Sequence, residues 1–230
     1  MHSFLRWAGS KRKLLPVLLD LVPLQFDRYV EPFAGSACLF FSLQPGRAIL
    51  SDINDELIST YREVTLRTEE VIGYLSALEL TKDAYYRVRA VNPYDLSGPL
   101  RAARFIYLNR LCFNGLYRTN KRGEFNVPFG GYRCGPIPSA DSLRTSAVLL
   151  RRATLVSCSF EQTLDRVKSG DFIYLDPPYC IRSRRVFNEY SHFSFGSDQL
   201  AGLRQHLDRL DRMGIPFLVS YGASWEGREL

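Results

Sequence analysis

Apolar and polar positions change period several times along the chain, and each change predicts an element. Arg28 to Phe33 reads as a strand, Ala34-Gly35-Ser36 as a tight turn, and the apolar stretch to Leu43 as a helix. A short strand follows from Arg47 to Ser51 and ends at Asp52, after which Asn54 is placed to cap a helix reaching about Arg67. Strand, helix, strand in this order opens a βαβ unit, and so a parallel sheet. From there to about Cys112 the pattern is helical, more helix than one crossover needs. Within it, Leu100 to Leu111 carries apolar residues at three-to-four spacing, with Arg101, Arg104 and Arg110 expected to face elsewhere. Asn114 to Pro138 is punctuated by Gly and Pro, and the alternation of Phe125, Val127 and Phe129 predicts a β-hairpin. Alternating α/β order then resumes: a strand at Ala153 to Ser157, a helix at Phe160 to Val167, a buried strand at Phe172 to Leu175, a helix at Gln199 to Arg212 and a strand at Ile215 to Ser220. Leu14 to Leu24, behind Lys11-Arg12-Lys13, reads as an amphipathic helix, because Asp20 and two prolines interrupt what would otherwise imitate a signal sequence.

Composition narrows the choices. A chain of 230 residues, 46% hydrophobic and 23% charged, fits one globular domain or one with a sizeable insertion. Of the 30 basic residues 25 are Arg, the side chain whose fixed fork grips phosphates and guanine edges. The net charge of +6 is uneven: residues 99 to 160 carry +8, whereas 51 to 98 carry −4. One segment therefore holds the positive field, and a polyanion is the expected partner. Five Cys are scattered without a C-x-x-C pair and three His are dispersed, so neither a disulfide framework nor a metal site is expected, and the compartment expected is a reducing cytoplasm. No apolar run approaches the length of a membrane span, and no membrane partner is expected.

Three sites carry candidate chemistry. The first, Glu31-Pro32-Phe33-Ala34-Gly35-Ser36-Ala37, is a strand end turning into a helix, with a Gly that lets backbone approach a ligand. It lacks the G-x-G-x-x-G cradle for a pyrophosphate, so a nucleoside cofactor without phosphates, such as S-adenosylmethionine, fits better than NAD. Asp52 ends the next strand 17 residues after Gly35, near the offset at which a carboxylate meets ribose hydroxyls. The second site is Asp176-Pro177-Pro178-Tyr179, directly after the buried strand. The exocyclic amine of a nucleobase is a poor nucleophile because its lone pair is delocalised into the ring. A carboxylate and a backbone carbonyl that accept its two N–H hydrogens favour a pyramidal nitrogen and stabilise the charge that develops as it attacks a sulfonium methyl. Asp176 offers the carboxylate, Pro177 a carbonyl held in a fixed direction, and Tyr179 a ring for the base to stack on. The third site is the basic segment, where Arg110, Arg118 and their neighbours alternate with aromatic and amide side chains. That mixture suits a nucleic-acid surface: Arg for phosphate or guanine, Asn for adenine, and Phe or Tyr to wedge between unstacked bases.

Taken in order, these motifs resemble a bacterial or phage DNA adenine methyltransferase of the Dam type, in the class with cofactor motif first, target-recognition domain next and catalytic motif last. The resemblance runs over nearly the whole chain, from Phe4 to Lys11 through Ser51 to Asn54, Tyr107 to Arg118, Gly123 to Gly130 and Asp176 to Tyr179, to Phe187, Tyr190 and Phe195. It implies a Rossmann-like α/β methyltransferase sheet built from residues 1–56 and 153–230. A mainly helical target-recognition domain, 57–152, is inserted and carries the hairpin. It further implies that Trp7, Lys11, Phe33, Gly35, Ser36, Asp52 and Asp176 line the S-adenosylmethionine pocket and that Asp176, Pro177, Pro178 and Tyr179 hold a flipped adenine. Phe113 and Asn114 are implied to fill or flank the gap the base leaves. Leu116, Arg118, Pro128 and Tyr132 match positions that read GATC, with Arg118 on a guanine, and Arg110 and Asn120 belong to the same double-stranded DNA surface. A cytoplasmic, nucleoid-associated monomer that works without a metal, in a restriction-modification setting, is the expected working form.

Two departures from the family pattern stand out. Ala37 occupies the place of a second glycine in the first motif, and relatives continue for a few tens of residues beyond the position of Leu230 to form a last sheet hairpin. Three alternatives stay open on the residues alone: methylation of cytosine N4, methylation of an RNA adenine, and a truncated DNA-binding chain without turnover.

Overall fold

The computed structural model describes residues 2–178 and 195–221. Five parallel strands form one sheet: β1 (Arg28–Glu31), β2 (Ala48–Asp52), β3 (Ala153–Ser157), β4 (Asp171–Leu175) and β5 (Phe217–Val219), in the order β3-β2-β1-β4-β5. The chain winds outward from β1 to β3 and then returns to place β4 on the other side of β1, so the direction of winding reverses between β1 and β4. In open α/β sheets the crevice at the carboxyl ends of the strands at such a reversal is where ligands bind.

Alternation along the strands sends side chains into two layers. Tyr29, Ala48, Leu50, Phe172 and Tyr174 point into the larger core, whereas Val30, Ile49, Ile173 and Leu175 point into the smaller one. Helices α1 (Leu15–Asp20), α2 (Cys38–Leu43), α3 (Asp55–Leu66), α4 (Thr68–Ser76), α5 (Lys82–Ala90), α6 (Gly98–Leu111) and α7 (Ala140–Leu150) contribute to the larger core, which runs without a break from Phe4 to Tyr174. Helices α8 (Phe160–Leu164) and α9 (Ser197–Arg212) cover the other face with Phe160, Leu203, Leu207 and Leu210. At the amino ends of the strands the buried Asp171 takes a two-pronged bond from Arg28, at 2.9 and 2.6 Å, and ties β4 to β1. Asn54 caps α3 as its position predicts, its Oδ1 accepting from the Leu57 amide at 3.1 Å.

Several sequence expectations are corrected. Arg104 does not face away from the apolar stripe of α6: it is 4% exposed, because α6 packs against α3, α4 and α5 and is enclosed on nearly every side. The segment after Lys11 is a single turn of 3-10 helix, Lys11–Leu14, followed by the short α1, which ends at Asp20 before Pro23 rather than running to Leu24. Only Leu15 and Leu18 of α1 are buried, and Leu14, Val17, Leu21 and Leu24 are exposed. The expected hairpin is an antiparallel ribbon held by isolated bridges, Cys112 with Phe129 and Thr119 with Phe125, instead of a continuous ladder. Pro128 has no amide hydrogen to give a ladder, and its carbonyl accepts from the Phe113 amide at 3.0 Å.

Candidate functional site

A cleft of about 770 Å³ opens at the carboxyl ends of β1, β2 and β4. Both early and late motifs reach it. Trp7, Lys11, Phe33, Gly35, Ser36, Asp52, Asp176, Pro177 and Pro178 all line it, although Asp52 and Asp176 lie 124 positions apart in the chain. Tyr179, and with it Phe187 and Tyr190, falls outside the described residues.

The first wall is the turn after β1. Gly35 has φ 45° and Ala37 φ 49°, both in the left-handed region, so the turn needs two residues that tolerate it. At Ala37 a methyl-bearing residue adopts a conformation that a glycine reaches freely, and the residue is 1% exposed. At Gly35 a Cβ would stand 2.9 Å from the Trp7 indole, so Trp7 packs directly on the turn. Asp52 braces the same turn: Oδ2 accepts from the Gly35 amide at 3.0 Å and Oδ1 from the Asn54 amide at 2.9 Å. Burial raises the Asp52 pKa, against these two amide bonds that lower it. Phe33 stacks on Phe160, with ring centroids 5.2 Å apart, and meets Phe195 edge-on.

On the opposite wall Lys11 donates to Asp176 Oδ1 at 2.5 Å and to the Gly9 carbonyl at 2.9 Å. Burial pushes the Asp176 carboxyl up from its ordinary range, and the Lys11 ammonium pulls it back. Between these walls stands Glu31, the last residue of β1 and 2% exposed, a carboxyl whose pKa is raised well above 4.5 by burial, against a hydrogen bond from Tyr29 that lowers it. A cleft lined by aromatic rings and four carboxyl groups, Glu31, Asp52, Glu161 and Asp176, with backbone brought close at Gly35, has the apolar walls and the acceptors that a cationic nucleoside needs.

Of the basic segment, Tyr117, Ser159 and Phe160 reach the cleft, and its arginines do not line it. Arg110 donates to the Pro136 carbonyl at 2.6 Å, and burial together with the neighbouring Arg6 and Arg12 lowers its pKa to about 10. Arg133 lies over the Phe113 ring at 4.8 Å and over Tyr132 at 5.3 Å. Asn114 is exposed with φ 55°, and Pro128 and Tyr132 are exposed as well. Leu116 is half-buried, its carbonyl accepting from the Cys112 thiol. Arg118 is held by Asn126, Nε to Oδ1 at 2.7 Å. Asn120 serves the turn itself: its Oδ1 accepts from the amides of Arg122 and Glu124, and its Nδ2 donates to Glu124 at 2.7 Å.

Residues 7–230 match the D12 class N6 adenine-specific DNA methyltransferase family. The chain belongs to this family. Among relatives, the type II methyltransferase M1.LlaDCHI of Lactococcus lactis subsp. cremoris is 34% identical, the match covering 100% of this chain and 84% of that protein. The type II methyltransferase M.MjaIII of Methanocaldococcus jannaschii is also 34% identical, over 99% of this chain and 89% of the relative. The DNA adenine methylase of Escherichia coli K12 is 36% identical, over 95% and 80% respectively. The enzyme is thus an adenine-specific DNA methyltransferase, and the methyl donor of the family is S-adenosylmethionine. The cytosine and RNA readings give way to it. No helix among the described residues is long and apolar enough to cross a membrane.

Other residues of the methyltransferase's cleft were given no role of their own from sequence, Glu31 among them although it opens the first motif. Glu31, Ile53, Phe160 and Tyr117 line it too. Glu31 and Ile53 had a readable signal, since they stand at or directly after the predicted ends of β1 and β2, where ligands of such sheets bind. Tyr117 and Phe160 had none, as each looks like an ordinary core aromatic until the fold places it. Arg6 and Arg12, whose charges reach Arg110, were likewise hidden in a segment read for its aromatic and helical pattern.

Proposed function

We propose that this enzyme methylates the adenine of GATC in duplex DNA after that base has been turned out of the helix into the cleft, where Asp176 and the Pro177 carbonyl receive it. The observation that carries this reading is the meeting in one cleft of the Gly35 turn, Asp52 and Asp176, with Asp176 at the exit of β4. Residues 1–56 and 153–230, which supply every described strand, act as the catalytic domain, and 57–152 act as the target-recognition domain. Trp7, Phe33, Gly35, Ser36 and Asp52 would hold S-adenosylmethionine, which when bound supplies a methyl group activated on a sulfonium. Asp52 accepts from ribose hydroxyls with lone pairs not already used by the Gly35 and Asn54 amides.

Lys11 orients Asp176 through Oδ1, so that the carboxylate keeps acceptor capacity for one N–H of the target amine. The Pro177 carbonyl accepts the other. Pro178 fixes the direction of that carbonyl, and Tyr179 stacks on the base. Nothing in this scheme needs a strong base or a metal ion, since the two acceptors stabilise the charge that develops on nitrogen. Extrusion costs a few kcal/mol, which contacts at the vacated stack, from Phe113 and Asn114, help to offset. Leu116, Arg118, Pro128 and Tyr132 read the site, Arg118 at a guanine; Arg110 and Asn120 support the DNA surface. We place the enzyme as a cytoplasmic monomer, in keeping with the prokaryotic origin of its relatives.

A tritiated-methyl assay on duplexes with GATC and with scrambled sites tests the reading. Asp176→Ala is expected to lower turnover on GATC by about 100- to 1000-fold while circular dichroism and DNA affinity stay near wild type. Equal methylation of GATC and scrambled duplexes would remove the site assignment, and wild-type turnover in Asp176→Ala would remove the mechanism.

A further inference from the structure

Of the described residues between 57 and 152, Tyr117 is the one that lines the cofactor cleft, and its chain neighbour is Arg118. Its ring stacks on Trp7 with centroids 5.8 Å apart and planes 14° from parallel. Phe105 and Phe125 close around it at 5.6 and 5.8 Å. Its hydroxyl donates to Glu56 Oε2 at 3.0 Å, and Glu56 Oε1 faces the buried Arg104 at 3.3 Å. Arg104 in turn donates to the carbonyls of Val88 and Arg89 at the end of α5, and Arg89 donates to the Val127 carbonyl beside Asn126, the residue that holds Arg118. Both strands of the recognition ribbon are thereby referred to one ring that touches the cleft.

We propose that Tyr117 is a positioning residue that couples occupation of the cofactor cleft to base reading by Arg118, acting through its stack on Trp7. A nucleoside against Trp7 limits the positions open to the indole. The indole then limits the Tyr117 ring, which Phe105 and Phe125 also hold, so the backbone leading into Arg118 is held in one direction. Conversely, DNA that fixes Arg118 holds Tyr117 and pre-sets Trp7 for the cofactor. Such coupling is reciprocal and commonly amounts to about 5- to 150-fold in affinity. The proposal rests on the assignment of Trp7 to the cofactor site and Arg118 to DNA.

The experiment measures the dissociation constant of a GATC duplex with and without saturating S-adenosylhomocysteine, and takes the ratio. Wild type is expected to show a ratio of at least about fivefold. Tyr117→Phe keeps the stack and is expected to keep the ratio, whereas Tyr117→Leu is expected to bring it to within about twofold of one, with affinity for DNA alone unchanged. A residue needed only for folding would weaken both affinities together. Should Tyr117→Leu fail the circular dichroism check, the flexible Tyr117→Met takes its place. In a Trp225→Phe background, Trp7 becomes the sole tryptophan, and its fluorescence is expected to respond to duplex in wild type and Tyr117→Phe but not in the Leu or Met variant. A folded Leu or Met variant with the wild-type ratio overturns the proposal, as does a Phe variant as deficient as Leu. Wild type that binds no S-adenosylhomocysteine, or does not prefer GATC, overturns the underlying assignment instead.

Discussion

Asp176, half-buried, and Glu31, buried, are carboxyls of one cleft, but their surroundings separate their behaviour. Lys11 stands against Asp176 and opposes the upward push of burial, so this carboxyl is the one kept available as an anion. Removing the ammonium in Lys11→Met leaves burial unopposed, and the acidic limb of the turnover profile, read at saturating cofactor, is expected to move to higher pH. A profile that stays in place would show that Lys11 does not set the charge of Asp176. Glu31 has no such cation among its causes of shift: its pKa is raised by burial and by the Asp176 and Asp52 charges, against the Tyr29 hydrogen bond that lowers it. Its folded pKa therefore lies above its unfolded value. The stability tied to its protonated form is complete below the ordinary carboxyl range, and is lost as pH rises toward the folded value, at up to about 1.4 kcal/mol per pH unit. Glu31→Gln keeps the group neutral, so its unfolding free energy should fall less than wild type's between about pH 5 and pH 8. Urea titrations across that range decide the matter, and parallel wild-type and variant curves would show that Glu31 does not titrate differently on folding.

At the scale of elements, α6 shows why helical periodicity misplaced a charged residue. A helix with one solvent face separates apolar from polar positions, but α6 packs against α3, α4 and α5, and ten of its residues are buried. Arg104 remains charged inside because its guanidinium has fixed partners: Glu56 and the carbonyls that end α5. The side chain of Arg104 is 5% exposed and that of Glu56 18%, so removing one partner strands the other in a largely dry place. Arg104→Met is expected to destabilise by about 3 to 5 kcal/mol, and the double variant with Glu56→Gln to recover part of that loss. Chemical denaturation of the three proteins checks this; a single-variant loss below about 1 kcal/mol would mean that the pair contributes little.

Across the whole molecule, positive charge converges on one region from two distant parts of the chain. Arg12, from the segment before α1, reaches the field of Arg110, and Arg6 Nη1 donates to the Arg133 carbonyl at 2.8 Å. A surface of this kind acts on phosphates whatever the base sequence. Arg12→Ala is expected to weaken GATC and random duplexes alike and to reduce the salt dependence of binding by about one counterion; loss confined to GATC would instead make Arg12 a base reader. The strands, the Gly35 turn, the Asn54 cap and the exit of Asp176 from β4 were all legible in sequence, because each is set by residues a few positions apart. The continuous apolar run of Phe172 to Leu175 shows that a strand is buried, and the Pro after Asp176 shows where it stops. Neither says which strand lies beside it. Only the return of β4 to the side of β1 brought Lys11 to Asp176, buried Glu31 near both, and set the Gly35 turn opposite them. Only the packing of α3 and α6 placed Tyr117 against Trp7 and Arg104 against Glu56. Period and turn chemistry are local properties of the chain, whereas the neighbours of a side chain, and with them its charge state, depend on contacts that close over 48 residues between Glu56 and Arg104 and 165 between Lys11 and Asp176.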